Sequence, residues 1–319
     1  MKNPILSTLT VGLVATVLIA LTASSACAAD DASKNDFKKP SPEEALKFLK
    51  SLPRVWRNTR ADFRGKKILV QLWEKHTVED LKTQKLIHPG GHVEDPDAPN
   101  RFSRRHLYIK PADWKYFTVF GALEEFQVGH DLEGITDECL FYLGQLPQSM
   151  HTIKLEMSQA TGKGVKHLHN LKNLKYLSLN FSRTITDVAL VHAGKIESLE
   201  VLDVCGCPAI TGTGVSALSK LKNLKTLKIG SCSLSNASLK HFKSLTIEEL
   251  DLSHVEEGWI IQYRGGGRCR FTITPIGLRN FIADKKNLPD LKRLILKKTR
   301  FTKEQKAALA KLRPGLVVN

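Results

Sequence analysis

The chain repeats one pattern of apolar and polar positions seven times. Each copy is a six-residue segment with apolar residues at its first, fourth and sixth positions, and successive copies begin 27, 24, 25, 25, 23 and 44 residues apart. Recurrence every 20 to 50 residues or so is typical of solenoids built from stacked units. The segments are Leu123–Val128, Met150–Leu155, Leu174–Leu179, Leu199–Val204, Leu224–Ile229, Ile247–Leu252 and Leu291–Leu296.

A second apolar anchor follows most segments, usually with Thr or Ser directly after it, as in Ile185-Thr186. Apolar residues then recur three apart, which indicates one buried face of a short helix. Each unit therefore predicts a strand, a turn and a helix. Because a single unit cannot bury its apolar face, stacked units should form a parallel inner sheet with helices outside. We expect the Thr or Ser to cap the helix, and Asp137 and Asp187 in its first turn to suit the helix dipole.

Residues 199–221, LEVLDVCGCPAITGTGVSALSKL, closely resemble the cysteine-containing class of leucine-rich repeat. The resemblance extends in register over seven units, about residues 115–319. It implies an α/β fold, a leucine-rich-repeat solenoid or horseshoe with a parallel inner sheet and outer helices. It also implies a recognition scaffold rather than an enzyme. The class is common in F-box proteins, but this sequence has no segment that resembles an F-box.

The first 28 residues predict a secretory signal peptide. Residues 5–21 are almost wholly apolar, and Ala26-Cys27-Ala28 gives a small-residue cleavage pattern. Cleavage after Ala28 would leave a secreted or periplasmic protein without a membrane span. An uncleaved anchor helix and a lipid on Cys27 are the alternatives. Residues 29–114 are predicted to form a flanking region that caps the first repeat, beginning with a helix capped by Ser41.

Positive charge is concentrated at the C-terminal end. Lys and Arg minus Asp and Glu give 19 − 13 = +6 for residues 29–122, 13 − 16 = −3 for residues 123–257, and 15 − 3 = +12 for residues 258–319. An electrostatic partner is therefore expected at that end. The other interpretation of the last repeat is a solvated cap.

The predicted concave face carries charges that largely alternate in sign from one repeat to the next. Opposite charges on neighbouring strands neutralise each other, so this face is either self-paired or a protein-binding surface of mixed charge. A polyanion would prefer a single sign. The candidate ligand-binding residues on it are Lys154, Tyr176, Asp203, Lys228, Asp251 and Arg293.

Extra sequence interrupts the sixth repeat at residues 256–271. Aromatic and aliphatic residues flank three consecutive glycines, which tolerate the positive φ of tight turns. We predict a projecting β-hairpin, with a flap over the core as the alternative. Its candidate ligand-binding residues are Trp259, Tyr263, Arg264, Arg268 and Arg270.

Five cysteines remain after residue 28, an odd number that is no disulfide framework. Cys207 and Cys232 occupy the same turn position in neighbouring repeats. They predict an inward row that satisfies turn backbone groups, although a disulfide between them is possible from the spacing. Cys205 should point outward. We assign no catalytic, cofactor-binding or metal-binding residues, because no motif for them is present.

The sequence thus favours a non-catalytic scaffold that binds a protein partner. The alternative is a binder of acidic polymer (polysaccharide, lipid headgroups or nucleic acid) through the basic C-terminal end. An enzyme is disfavoured, since only residues 29–114 and the insertion offer room for an unrecognised site.

Overall fold

The computed structural model describes residues 37–52, 55–57, 68–70, 77–83, 86–87, 92–94, 104–128, 132–253 and 269–319. The chain divides into two compact units, Met1–Lys39 and Pro40–Asn319, and every element below belongs to the second. The predicted signal peptide and residues 254–268 of the insertion lie outside the described residues.

The strands are short, as expected for one apolar segment per repeat. Those described are β1 (Val55–Arg57), β2 (Ile68–Val70), β3 (Leu86–Ile87), β4 (His92–Glu94), β5 (Arg104–Tyr108), β6 (Glu125–Val128), β7 (Leu132–Glu133), β8 (Thr152–Leu155), β9 (Tyr176–Ser178), β10 (Val201–Asp203), β11 (Thr226–Lys228), β12 (Glu249–Asp251), β13 (Arg293–Ile295) and β14 (Val317–Val318).

The repeat strands form one parallel sheet in the order β3-β6-β8-β9-β10-β11-β12-β13-β14. Equivalent repeat positions pair directly: Leu177, Leu202 and Leu227 are successive partners in register. The apolar residues of the repeat are buried throughout, forming one continuous core. The predicted α/β leucine-rich-repeat solenoid, with its parallel sheet and outer helices, is therefore confirmed.

The connections between strands are α-helices and 3-10 helices. They are α1 (Pro42–Ser51), α2 (Val78–Thr83), α3 (Asp137–Leu143), α4 (Asp187–Ala193), α5 (Pro275–Ala283) and α6 (Lys303–Ala310), with 3-10 helices η1 (Pro111–Val119), η2 (Gly164–Asn170), η3 (Thr213–Lys220) and η4 (Asn236–Phe242). The three-residue spacing of buried residues explains the 3-10 helices, because side chains three apart share one face of such a helix.

The flanking region contributes to both sheets. Strand β3 pairs with β6 and is the edge of the repeat sheet. The other strands form a second sheet, β2-β1-β4-β5-β7, in which all pairs are antiparallel except β5 with β7. The predicted helix cap is confirmed, since Ser41 and Glu44 form a reciprocal capping box.

Asp187, at the start of α4, binds the following repeat. Its carboxylate accepts the Thr211 amide and hydroxyl at 2.9 and 2.7 Å, and the Gly212 and Gly214 amides at 3.0 and 2.9 Å. We call these four residues the aspartate clamp. Burial raises the pKa of Asp187, but the hydrogen bonds from Gly214, Thr211 and Gly212 outweigh it and leave the pKa lowered. Asp187 thus joins two repeats, a role beyond the predicted dipole effect.

Clamps of this kind recur at every second repeat. Asp137 accepts the Thr161 amide and hydroxyl at 2.6 and 2.7 Å, and Asn236 accepts the Thr274 amide at 2.9 Å. Thr161 and Thr211 therefore bind the preceding repeat instead of capping their own helices. The predicted capping by Thr is confirmed at Thr186, Thr274 and Thr302.

The last repeat is closed by a buried arginine. The Arg313 guanidinium donates to the carbonyl oxygens of Ile282, Leu288, Asp284 and Asn287. These carbonyls follow or end helix α5, so Arg313 supplies donors that the helix end otherwise lacks. Arg313 is a structural cation and is unavailable to a ligand.

Candidate functional site

The side of the repeat sheet that faces away from the helices carries the candidate residues. The central residue of each strand is buried, and the residues on either side of it lie on the opposite, open face. We call this surface the open face. It corresponds to the concave face predicted from the sequence.

Ion pairs between neighbouring strands cover much of the open face. Glu200 lies 3.1 Å from the Lys175 ammonium and 3.7 Å from that of Lys225. Farther along, Lys292 pairs with Glu248 at 3.0 Å, and Arg293, a predicted ligand-binding residue, pairs with Glu249 at 2.6 Å. The predicted self-pairing is therefore confirmed over these repeats. Exposed pairs contribute little stability each, but they reduce the charge that a partner meets.

A more buried cluster occupies the middle of the face. Tyr176 receives a hydrogen bond from the Lys228 ammonium, which also lies 4.0 Å from Asp203. The Lys154 ammonium lies 5.2 Å from the centre of the Tyr176 ring, a cation–π contact. Asp251 lies in register with Lys228 on the next strand. The structure thus brings together five predicted residues, which we call the tyrosine cluster: Lys154, Tyr176, Asp203, Lys228 and Asp251.

Burial alters the protonation of this cluster. Asp203 is 8% exposed, and burial raises its pKa although the Cys205 amide and Lys228 oppose the shift. Burial also raises the pKa of Tyr176. For Lys228, burial lowers the pKa, but Tyr176, Asp203 and Cys205 together leave it raised. Lys228 is therefore held as a cation beside a carboxylate that is incompletely stabilised.

One oxygen of each aspartate in the cluster is used by its own turn. Asp203 accepts the Cys205 amide at 3.1 Å, and Asp251 accepts the Ser253 amide at 2.8 Å. Lys228 lies on the strand between them, in register with both aspartates, and its ion pair is with Asp203. Compared with the four hydrogen bonds of Asp187, the hydrogen bonding of Asp203 is sparse.

The insertion contributes little to the described site. Trp259, Tyr263, Arg264 and Arg268 lie outside the described residues, so their predicted roles stay predictions. Arg270 is exposed, and its amide donates to Ser233 at 3.2 Å. This contact fixes the returning end of the insertion beside the fifth repeat.

Cysteines and serines form the inward row predicted at the turn. The Cys207 thiol donates to the Leu179 carbonyl and the Cys232 thiol to the Val204 carbonyl, both at 3.2 Å, and both thiols are free. Cys269 is also free but only half-buried, and the residue after it, Arg270, donates its amide to Ser233. Burial raises the pKa of Cys232 far above its ordinary value, so this thiol is a poor nucleophile.

Some residues of the open face were not among the candidates from the sequence. The third position of each segment faces outward, as Tyr176 and Arg293 do, and it also supplies Val201, Thr226 and Glu249. The period of two in a β-strand was the available signal. Cys205, predicted to point outward, is half-buried beside Asp203.

The basic C-terminal end contains cations that lack an acidic partner. Within residues 269–319, Lys297, Arg300 and Lys303 are exposed, and the structure gives them no ion pair with a described carboxylate. Lys303 is the first residue of α6, where the helix dipole disfavours positive charge. These cations contrast with the paired ones of the open face.

The described residues show neither a metal-binding group nor a membrane-spanning helix. No group of three or more His, Cys, Asp or Glu side chains there is arranged to hold a metal ion. Nor does any helix in the described part of the chain have the length and apolarity to cross a bilayer.

No protein-family model and no curated protein matches the chain. Among solved structures, an internalin from Listeria monocytogenes is 18% identical with a TM-score of 0.41, over 69% of this chain and 52% of its own. A Leptospira interrogans leucine-rich-repeat protein is 19% identical, with a TM-score of 0.36, over 67% and 52%.

A chain of the Rad7–Elc1 complex from yeast is 18% identical, with a TM-score of 0.43, over 64% and 50%. This chain therefore spans about half the length of these three structures. Likeness at this level says nothing of activity. By its own strand register and buried repeat positions, the chain has the fold of a leucine-rich-repeat solenoid.

Proposed function

We propose that this protein is a non-catalytic scaffold that binds a protein partner on the open face, around the tyrosine cluster. The observation that carries the proposal is the environment of Asp203, which is almost fully buried on a face partly covered by ion pairs, with one backbone amide and the Lys228 ammonium beside it. A partner that donates hydrogen bonds to the Asp203 carboxylate would satisfy the acceptor capacity that the fold leaves unused.

Tyr176 supports the same location. Among the described strand residues of the open face from β6 to β13, it is the one aromatic side chain. Tyrosine combines a large apolar ring with a polar hydroxyl, and such residues are enriched where single side chains dominate binding energy. Its hydroxyl and ring already contact two lysines, so its orientation is set before a partner arrives.

The test is capture of partners by the tagged full chain from the cells that make it, at low and high salt. We expect a specific protein to be retained, and Tyr176→Ala to lose it. Tyr108→Ala is the matched control, because Tyr108 is 56% exposed and is not on the repeat sheet. Retention of the same protein by both variants, or no specific protein at all, would refute the proposal.

We further propose that the protein is secreted or periplasmic, with residues 1–28 removed as a signal peptide and residues 29–114 capping the first repeat. The pairing of β3 with β6 supports the capping role. The inward row of Cys207 and Cys232 supports membership of the cysteine-containing repeat class. N-terminal sequencing of protein from its own cells should begin at Ala29, and a start at Met1 would contradict the cleavage.

A second candidate function is binding of acidic polymer at the C-terminal end, favoured by Lys297, Arg300 and Lys303, which form no ion pair with a carboxylate of the described residues. Affinity for heparin or duplex DNA should then fall steeply with salt, because binding releases counterions. Replacing the three cations with Gln should reduce the salt dependence. Replacing three exposed lysines of the central repeats, Lys163, Lys222 and Lys243, should not. Equal behaviour of the two triple variants would exclude this site.

A further inference from the structure

Lys154 differs from the other cations on the strands of the repeat sheet. Of the described Lys and Arg residues on β8–β13, Lys228 pairs with Asp203 and Arg293 pairs with Glu249. Lys154 has no carboxylate within 4.0 Å in that part of the chain, and its recorded contact is the ring of Tyr176. A cation–π contact of this type contributes less than a half-buried ammonium gains from an anion.

The strand neighbours of Lys154 cannot neutralise it. Gln127 and Ser178 are its partners in register on the two sides, and both are uncharged. The Gln127 amide is committed to Glu125 at 2.6 Å, and Ser178 is buried. No described carboxylate lies within 4.0 Å of the Lys154 ammonium, so this cation is open to an anion from a partner.

We infer that the protein partner places an Asp or Glu carboxylate against the Lys154 ammonium, beside the ring of Tyr176. This inference rests on the proposed function and specifies the chemistry of its partner. The ring offers an apolar flank for the methylene groups of the incoming side chain, and the ammonium offers the charge-assisted hydrogen bond.

A single carboxylate fits better than a phosphate. Phosphate groups are usually held by several cations or by a bidentate arginine, and Lys154 stands alone. Asp203 lies two strands away, about 10 Å by ordinary strand spacing, and it would repel a dianion more than a monoanion. Lys228 already contacts Asp203 and Tyr176, so it is not free to bind the same anion as a second cation.

The direct test is zero-length cross-linking with a water-soluble carbodiimide, which joins a lysine amine to a carboxylate in contact with it. The full chain is cross-linked in extract of its own cells, and the products are mapped by mass spectrometry. We expect an amide bond between Lys154 and an Asp or Glu of the captured protein. Cross-links from that protein only to other lysines, such as Lys175 or Lys225, would overturn the inference.

Matched variants separate this inference from the proposed function. Lys154→Met keeps the length of the side chain and removes its charge, and it should weaken capture about tenfold. Lys154→Arg should restore capture, whereas Lys175→Met should change it less than about twofold because Lys175 is exposed and paired with Glu200. If Tyr176→Ala abolishes capture and Lys154→Met leaves it unchanged, the scaffold proposal stands and the carboxylate contact is wrong. If neither variant changes capture, both are wrong.

Discussion

Asp187 and Asp203 are carboxylates of the same solenoid with opposite environments. Asp187, on the helix side, accepts four hydrogen bonds from the next repeat, and its pKa is lowered. Asp203, on the open face, accepts one backbone amide and lies 4.0 Å from Lys228, and burial raises its pKa.

The difference separates a structural carboxylate from a candidate binding carboxylate. The fold gains stability from Asp187 because its charge is fully solvated by protein donors. It gains little from Asp203, because burial of the charge offsets the attraction of Lys228. A polar group that the fold leaves partly unsatisfied on an open surface is available to a partner, and this is why the tyrosine cluster is favoured over the clamps as the site.

Replacement of the two aspartates should give the largest contrast. Asp187→Ala leaves the amides of Thr211, Gly212 and Gly214 without their acceptor, and we expect the free energy of unfolding to fall by about 3 kcal/mol. Asp203→Asn keeps an acceptor for the Cys205 amide and removes a costly charge, so its effect should stay within about 1 kcal/mol. Urea unfolding measures both. Equal losses would remove the distinction drawn between the two sites.

Replacement of Gly214 in the aspartate clamp should have the next largest effect on stability. A Cβ at Gly214 would lie 2.4 Å from the Asp187 carbonyl oxygen, so Gly214→Ala must displace backbone that belongs to two repeats. We expect a loss of about 2 kcal/mol. Ser216→Ala, at an exposed position of the same helix, should cost less than about 0.5 kcal/mol. A thermal melt of both variants is sufficient, and tolerance of alanine at position 214 would show that the repeats do not pack this closely.

The clamps also show what the sequence could and could not predict. The strands, the parallel sheet and the buried leucines follow from the spacing of apolar residues within each single repeat. The hydrogen bonds of Asp187 with Thr211 and Gly214 depend on how two neighbouring repeats are aligned. Comparing the sequence from Asp137 to Gly164 with the sequence from Asp187 to Gly214 would have revealed this alignment. The helix-dipole role suggested for Asp187 was local, whereas its main partners are on the next repeat.

The open face was predicted in part for a similar reason. Charge alternation predicted the pairing of Lys175 with Glu200, since neighbouring strands stand side by side. The burial of Asp203 depends on how closely Tyr176 and Lys228 crowd it, which no linear pattern encodes.

Acid titration should distinguish the two aspartates by sign. The lowered pKa of Asp187 means that its contribution is present above the unfolded pKa, near 4, and is lost as pH falls through the folded pKa. The raised pKa of Asp203 means that its contribution is present below the unfolded pKa and is lost as pH rises through the folded pKa. The stability advantage of wild type over Asp187→Asn should therefore shrink between about pH 5 and pH 2, while that over Asp203→Asn should grow.

Histidines do not disturb this comparison. Burial lowers the pKa of His192 to about 4, within the titrated range, and it also lowers the pKa of His169. They are present in all three proteins, and their contribution cancels when each variant is subtracted from wild type. Urea unfolding at a series of pH values gives the two differences, and changes of the same sign would contradict the assignment.

The smallest effect is expected where the clamp uses an amide in place of a carboxylate. Asn236 accepts the Thr274 amide at 2.9 Å, but the next residue is Pro275, which has no N–H, and the Gly277 amide donates to the Thr274 hydroxyl at 3.0 Å. A carboxylate here would meet one backbone donor, whereas Asp187 meets three. Asn236→Asp should therefore change the free energy of unfolding by less than about 0.5 kcal/mol. A gain above about 1 kcal/mol would mean that the negative charge at the helix start, rather than the number of donors, determines the strength of these clamps.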